Sequence, residues 1–193
     1  MVLESASNSG RNIFIISGPG GVGKTTLSDA LCEDSTSVRK VITATTRSPR
    51  TGEVDGEDYI FMSEDEFEQA LQRDEFIEHE KVYGRDWYGT PRAEVKKVLS
   101  SGAKPLLVID VGGALKVKSR HPEAVLIFLT PPSLDELRSR LYARGFDEEG
   151  AIEDRLRTAN YEIETGQSKY DHQIVNDDLG RALAEVKEVI SSY

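Results

Sequence analysis

Eight residues, Gly18-Pro19-Gly20-Gly21-Val22-Gly23-Lys24-Thr25, constrain this 193-residue chain more than any other stretch. They fit the spacing G-x-x-x-x-G-K-[ST], with an apolar strand-like run, Asn12 to Ile16, before them and a helical pattern, Lys24 to Cys32, after them. Glycines let backbone N–H groups turn inward around an anion without Cβ clashes. The helix that follows adds unpaired N–H groups and the favourable end of its dipole. In this reading the backbone from Gly18 to Gly23 wraps a nucleotide's phosphates. Lys24 reaches the β- and γ-phosphates, the Thr25 hydroxyl ligates Mg²⁺, and Thr26 belongs to the same loop. The plainer reading is a glycine-rich turn, and the correct flanks weigh against it.

The rest of the chain alternates strand and helix, which predicts an α/β fold with a parallel sheet covered on both faces. Apolar runs at Val38 to Thr43, Leu106 to Ile109, Ala124 to Leu129 and Gln173 to Val175 join the first to give five buried strands. Helices are expected over Pro91 to Ser100 with Thr90 as N-cap, from the capping box Ser133-Leu134-Asp135-Glu136, over Glu149 to Thr165, and over Leu179 to Ile190. The helix Glu149 to Thr165 carries Ile152, Leu156, Ala159 and Ile163 on one stripe.

Between Thr46 and Ser101 short strand-like pieces and turns break this alternation, and a small helix begins at the capping box Ser63 to Glu66. The predicted organisation is therefore a core over 1–42, 103–141 and 159–193. It carries a small mixed α/β insert over 43–102 and a helical lid over 142–158, where Gly145, Gly150 and several arginines fall.

A net charge of −10 argues against wrapping a nucleic acid, which requires many phosphate-neutralising Lys and Arg. It leaves room for a small phosphorylated ligand met by local arginines. No stretch approaches the roughly 20 apolar residues of a membrane span. Met1 to Arg11 has no basic start followed by an apolar run, so no secretory signal is expected. One cysteine, Cys32, and three scattered histidines make neither a disulfide nor a Cys/His zinc site, which fits a reducing cytoplasm. Whether the chain is a monomer or a homo-oligomer is not written in these features.

Asp110 closes the run Pro105 to Ile109, and a carboxylate at the carboxyl end of a parallel strand faces the ligand crevice, near Mg²⁺. Capping the turn at Gly112-Gly113 is its alternative use. The segment Thr45-Thr46-Arg47-Ser48-Pro49-Arg50-Thr51-Gly52-Glu53 places two arginines three apart beside a stiffening proline. Such a pair suits a dianionic phosphate, because guanidinium forks match its geometry. A solvated basic turn accounts for the same residues equally well.

In order along the chain stand G-P-G-G-V-G-K-T, T-T-R-S-P-R-T-G-E-V-D-G-E-D-Y, E-F-I-E-H, W-Y-G-T-P, I-D-V-G-G, R-G-F-D-E-E and I-V-N-D-D-L, spanning about Ile13 to Leu179. This series resembles the guanylate kinase family, phosphate-loop enzymes that transfer a phosphoryl group from ATP to GMP or dGMP with Mg²⁺. The resemblance implies that Arg47 and Arg50, with Tyr59 and Tyr88, hold the GMP phosphate. It implies that Glu78 reads guanine, with Thr43 and Thr90 as hydroxyls of that site and Asp110 between base and metal. Arg140, Arg144 and Arg155 match the family's lid arginines, and Asn176 a residue near adenine. Lys24, Arg47, Arg144 and Arg155 are then the catalytic set, and Arg140, Arg144 and Asn176 join the phosphate loop in holding ATP.

The chemistry of guanine agrees. Its N1–H and N2–H₂ are adjacent donors, and an ionised carboxylate is acceptor-only. Strand alternation puts Phe76, Glu78 and Glu80 on one face, so Glu80 is the rival carboxylate. Taken alone, Glu78 is also an ordinary exposed strand residue, and the lid arginines an ordinary charged helix face balanced by Asp147, Glu148 and Glu149. Two rivals stand beside the kinase reading: a non-catalytic binding module of the same family, and a phosphosugar kinase on the same fold. The sequence departs from the family at three points: Gly20 stands for a serine, Gly112 for the glutamine of D-x-Q-G, and the loop Tyr83 to Tyr88 is one residue longer.

Overall fold

The computed structural model describes residues 13–82, 84–144 and 149–193, the side chains of 144 and 149–151 excepted. Met1 to Asn12, Tyr83 and the lid segment 145–148 lie outside the described residues, as do the side chains of Arg144 and Glu149. In chain order the elements are β1 (Phe14–Ser17), α1 (Lys24–Asp34), β2 (Val38–Lys40), β3 (Ala44–Thr45), β4 (Ile60–Phe61), α2 (Glu64–Gln72), β5 (Phe76–Val82), β6 (Asp86–Pro91), α3 (Arg92–Ser100), β7 (Lys104–Val108), α4 (Val111–Arg120), β8 (Val125–Thr130), α5 (Leu134–Arg144), α6 (Glu149–Lys169), β9 (His172–Val175) and α7 (Leu179–Ser191).

The apolar runs form a parallel sheet in the order β2-β7-β1-β8-β9. Alternation along a strand sends successive side chains to opposite faces. In β1, Phe14 and Ile16 enter a core with Leu27 and Leu31 of α1 and Val186 of α7. Ile15 enters a second core on the other face with Val95 of α3 and Val117 of α4. Both faces being covered is why these runs read as continuously hydrophobic. Strands β1 and β7 are neighbours, Ile16 opposite Val108, so their carboxyl ends place Gly18 and Asp110 at one edge of the sheet.

The strand bounds differ from expectation by a few residues. The run expected to continue to Thr43 leaves the parallel sheet at Lys40, because the Thr43 carbonyl instead accepts from the Ile60 N–H. α1 runs on to Asp34 and α6 to Lys169, past the predicted Cys32 and Thr165.

Residues 44–91 build a second, mixed sheet in the order β4-β3-β6-β5. Its small core stacks Phe67 of α2 on Phe76 at 4.5 Å and on Trp87 at 5.8 Å. The capping box that opens α2 forms: the Ser63 Oγ accepts from the Glu66 N–H, and Glu66 Oε2 accepts from the Ser63 N–H at 2.8 Å. Thr90 does not cap α3. Pro91 holds that position, and Thr90 lies within β6, where its hydroxyl has a tertiary partner. Among the described residues no helix is long and apolar enough to cross a membrane.

Candidate functional site

The carboxyl ends of β1 and β7 open into a cleft of about 230 Å³ whose opposite wall is the second sheet. The loop after β1 forms its floor. Gly18 has φ 148°, and a Cβ there would stand 2.3 Å from the Leu129 carbonyl oxygen. Gly23 has φ 102° in the left-handed region and begins α1 without any side-chain cap. The first N–H groups of α1 are thus left for a ligand, as an anion site requires. The Lys24 Nζ donates to the carbonyls of Gly18 at 2.6 Å and Pro19 at 3.2 Å. An ammonium has three donors, so one remains. Thr25 is exposed to the same cleft.

Across from Lys24 stand Arg47, Arg50, Tyr59 and Tyr88. The loop bearing the arginines is pinned to β6 by a reciprocal pair of bonds: the Thr46 N–H donates to the Trp87 carbonyl, and the Trp87 N–H to Thr46 Oγ1 at 2.9 Å. Arg47 Nη1 and Nη2 donate to the two carboxylate oxygens of Glu53 at 3.0 and 2.9 Å. Its Nε donates to the Tyr88 hydroxyl at 3.1 Å, and the guanidinium carbon lies 5.4 Å from the Tyr59 ring centre. The same Glu53 accepts from the Arg50 N–H at 2.7 Å. Burial alone would raise the Glu53 carboxyl, but the bonds from Arg47 and Arg50 hold it below the usual carboxylate range.

Glu78 is the buried acid of the cleft, only 3% exposed. Thr90 Oγ1 donates to Glu78 Oε1 at 2.6 Å, so Thr90 acts on the cleft through Glu78 and is itself fully buried. Burial pushes the Glu78 carboxyl up to about 7, with the charge of Asp110 adding and the Thr90 bond opposing. The ladder of β5 on β6 shifts register between Phe76 and Glu78. Glu80 still reaches the cleft, but its carboxylate is paired with Lys116 of α4. Thr43, 8% exposed, and Asp110 complete this wall. Asp110 is the N-cap residue of α4 yet makes no side-chain cap bond, so its carboxylate is not used on the turn.

Arg155 of α6 lines the cleft beside Lys24. Arg140 lies around the loop, in a recess with Gly21, Gly23, Thr26 and Asn176. There the Asn176 Nδ2 donates to the Val22 carbonyl at 2.7 Å, and Arg140 Nη1 to the Asn176 carbonyl at 3.0 Å.

Two acids of the site were not singled out from the sequence. Glu53 sits six residues from Arg47, with only the loop's Pro49 and Gly52 to suggest a return. Glu162 of α6 feels both Lys24 and Asp110; burial pushes its carboxyl up to about 7, Lys24 opposing and Asp110 adding. Its spacing of seven from Arg155, two helical turns on one face, was the available signal. Among the described residues no group of three or more His, Cys, Asp or Glu gathers in metal-binding geometry.

The guanylate kinase family model matches residues 10–193. The chain is 46% identical over 178 residues to a guanylate kinase of Caldanaerobacter subterraneus subsp. tengcongensis, covering 92% of this chain and 85% of that protein. It is 43% identical over 180 residues to a guanylate kinase of Halalkalibacterium halodurans, covering 93% and 87%. Among solved structures, that of guanylate kinase from Anaplasma phagocytophilum superposes with a TM-score of 0.78 at 32% identity, covering 96% of this chain and 87% of that one.

Proposed function

The chain belongs to the guanylate kinase family and is an ATP:GMP phosphotransferase, and from that premise we propose how its cleft divides the work. The observation that carries this division is that Lys24 and Thr25 share one cleft with Arg47 and Arg50. One anion cradle is built of glycine backbone and the other of guanidinium groups, and each suits one phosphate of the reacting pair.

ATP lies with its phosphates in the loop Gly18 to Thr25 and its adenosine toward Asn176 and Arg140. The GMP phosphate is held by Arg47 and Arg50 with the hydroxyls of Tyr59 and Tyr88. Guanine donates its N1–H and N2–H₂ to an ionised Glu78, with Thr43 and Asp110 flanking it. Adenine presents an acceptor at N1 instead and would leave Glu78 unpaired, a mismatch that costs up to about 10⁴ in selectivity.

An oxygen of the GMP phosphate attacks the γ-phosphorus in line. The new P–O bond forms as the bond to the β-phosphate oxygen breaks, and ADP departs with the released charge. No side chain serves as nucleophile. Lys24 and Arg155 neutralise charge on the transferring group, and Arg144 is assigned with them from the sequence. The Thr25 hydroxyl, with Asp110 acting through a water, would hold a Mg²⁺ ion, which would supply further charge neutralisation there. The insert 43–102 closes on GMP and the lid 142–158 on ATP, which excludes water from the γ-phosphate. This reading assigns the enzyme to the cytoplasm, as a step of purine nucleotide metabolism.

A binding module without catalysis does not require the intact Lys24-Thr25 loop. A phosphosugar kinase does not require the buried pair Glu78 and Thr90. A coupled ADP-release assay with GMP, AMP, UMP and CMP tests the reading. Turnover with GMP exceeding the others by about 10³ or more supports it; comparable turnover with AMP, or none with GMP, contradicts it.

A further inference from the structure

Helix α4 lies along the outer edge of β5, the edge strand of the second sheet. An edge strand leaves carbonyls that need partners. Here a row of α4 supplies them. Arg120 Nη1 donates to the Ile77 carbonyl at 2.9 Å, and Lys116 Nζ donates to the His79 carbonyl at 3.0 Å. The geometry is commensurate, since four helical residues rise about 6 Å and two strand residues about 6.6 Å. One turn further toward the start of α4, the same row reaches Gly112, which has no side chain. Over it lies the carboxylate of Glu80, paired to Lys116. A Cβ at Gly112 would stand 3.2 Å from Glu80 Oε2, and one at Gly113 would stand 2.7 Å from Glu78 Oε2. Two neighbouring glycines thus receive two carboxylates of β5 against the positive end of α4.

We propose that Glu80 and Lys116 form a clasp, admitted by Gly112, that sets the register of β5 on α4 and so the depth at which Glu78 meets the acceptor base. The proposal rests on Glu78 as the guanine reader. The Glu80 and Lys116 side chains are 37% and 47% exposed, and an ion pair that open to water adds little to global stability. What it supplies is position, for the one strand that carries Glu78. Both are positioning residues, since neither needs to touch the reacting atoms.

Steady-state kinetics on Lys116→Met, Lys116→Arg, Glu80→Gln, the double variant Glu80→Gln/Lys116→Met and Gly112→Gln test the clasp, with Glu78→Gln run alongside. Lys116→Met and Glu80→Gln are each expected to raise KM for GMP about fivefold, leaving kcat, KM for ATP and Tm near the parent values. The double variant is expected to be no worse than either single, because the two act as one unit. Lys116→Arg restores much of the loss, and Gly112→Gln reproduces it by displacing Glu80. Unchanged KM for GMP in both singles, an equal rise for ATP, or losses that multiply in the double variant would each overturn the clasp. So would relaxed GMP-over-AMP selectivity in Glu80→Gln without the same change in Lys116→Met, which would make Glu80 a reader of the base. If Glu78→Gln keeps its GMP selectivity, the underlying assignment of Glu78 fails and the clasp falls with it. If Glu78→Gln loses selectivity while the clasp variants behave as the parent, only the clasp fails.

Discussion

Glu53 grips Arg47 with both carboxylate oxygens, at 2.9 and 3.0 Å, while the Tyr88 hydroxyl takes the Arg47 Nε–H. This fork-to-fork contact orients the guanidinium before any ligand arrives, and it also offsets part of its charge. Orientation outweighs charge in this account, because an acceptor phosphate misplaced by an ångström loses its line of attack. Glu53→Gln is therefore expected to raise KM for GMP by about tenfold, with KM for ATP unchanged. A lower KM for GMP would mean that Glu53 competes with the phosphate instead of aiming Arg47.

Glu78 carries a pH dependence whose sign follows from its burial. Its carboxyl is pushed up to about 7 in the folded protein, against about 4.3 in an unfolded chain. The folded state without ligand therefore holds this proton more tightly, and the associated stability is present at low pH and lost as pH rises from about 4.3 through about 7. Guanine needs the ionised form, so GMP binding releases the proton and tightens as pH rises from 6 to about 8. Titration calorimetry of GMP across that range, in parent and in Glu78→Gln, isolates this proton from that of the GMP phosphate itself. The parent should gain more affinity with pH than the variant; equal slopes would remove Glu78 from the base.

Asn176 spends its side chain on the phosphate loop: Nδ2 donates to the Val22 carbonyl, and a Cβ at Gly23 would stand 2.4 Å from that nitrogen. Asn176→Ala is expected to raise KM for ATP about fivefold with KM for GMP unchanged, since the loop loses a buried brace on the adenosine side. Separate KM measurements for the two substrates decide this.

Glu162 is half-buried near Lys24 and Asp110, on the helix that also carries Arg155. Its carboxyl is raised to about 7 by burial, so the stability held by its proton is lost as pH rises from about 4.3 through about 7. Glu162→Gln removes this penalty. Its Tm should rise relative to the parent at pH 8 and change less at pH 5. Its kcat should fall about tenfold, because Lys24 loses a neighbouring charge that helps to place it. A Tm gain that is the same at both pH values would contradict the burial argument.

How far the sequence carries the site depends on where each interaction is local. The loop Gly18 to Thr25 is legible because its chemistry is backbone conformation, written in consecutive residues. The five buried strands and the two covered faces follow from the apolar runs, whereas the order β2-β7-β1-β8-β9 depends on contacts between distant segments. Thr90 misleads because Thr-Pro ahead of a helix is a local capping signal, and the hydroxyl instead finds Glu78, twelve residues away. Glu78 and Glu80 are indistinguishable by alternation. Only Thr90 on one side and Lys116 on the other separate a buried carboxyl from a paired one. Glu162 shows its surroundings only when α6 is laid over Lys24 and Asp110, segments roughly 140 and 50 residues away along the chain.

The central claim is that the donor cradle at Lys24 and the acceptor cradle at Arg47 and Arg50 serve one cleft at once. A compound joining adenosine and guanosine through a polyphosphate bridge measures this directly. The account predicts that it binds at least about 100-fold tighter than ADP or GMP alone, and that Lys24→Met and Arg47→Ala each remove most of that gain. Binding no tighter than the better single nucleotide, or a gain that survives Arg47→Ala, would contradict it.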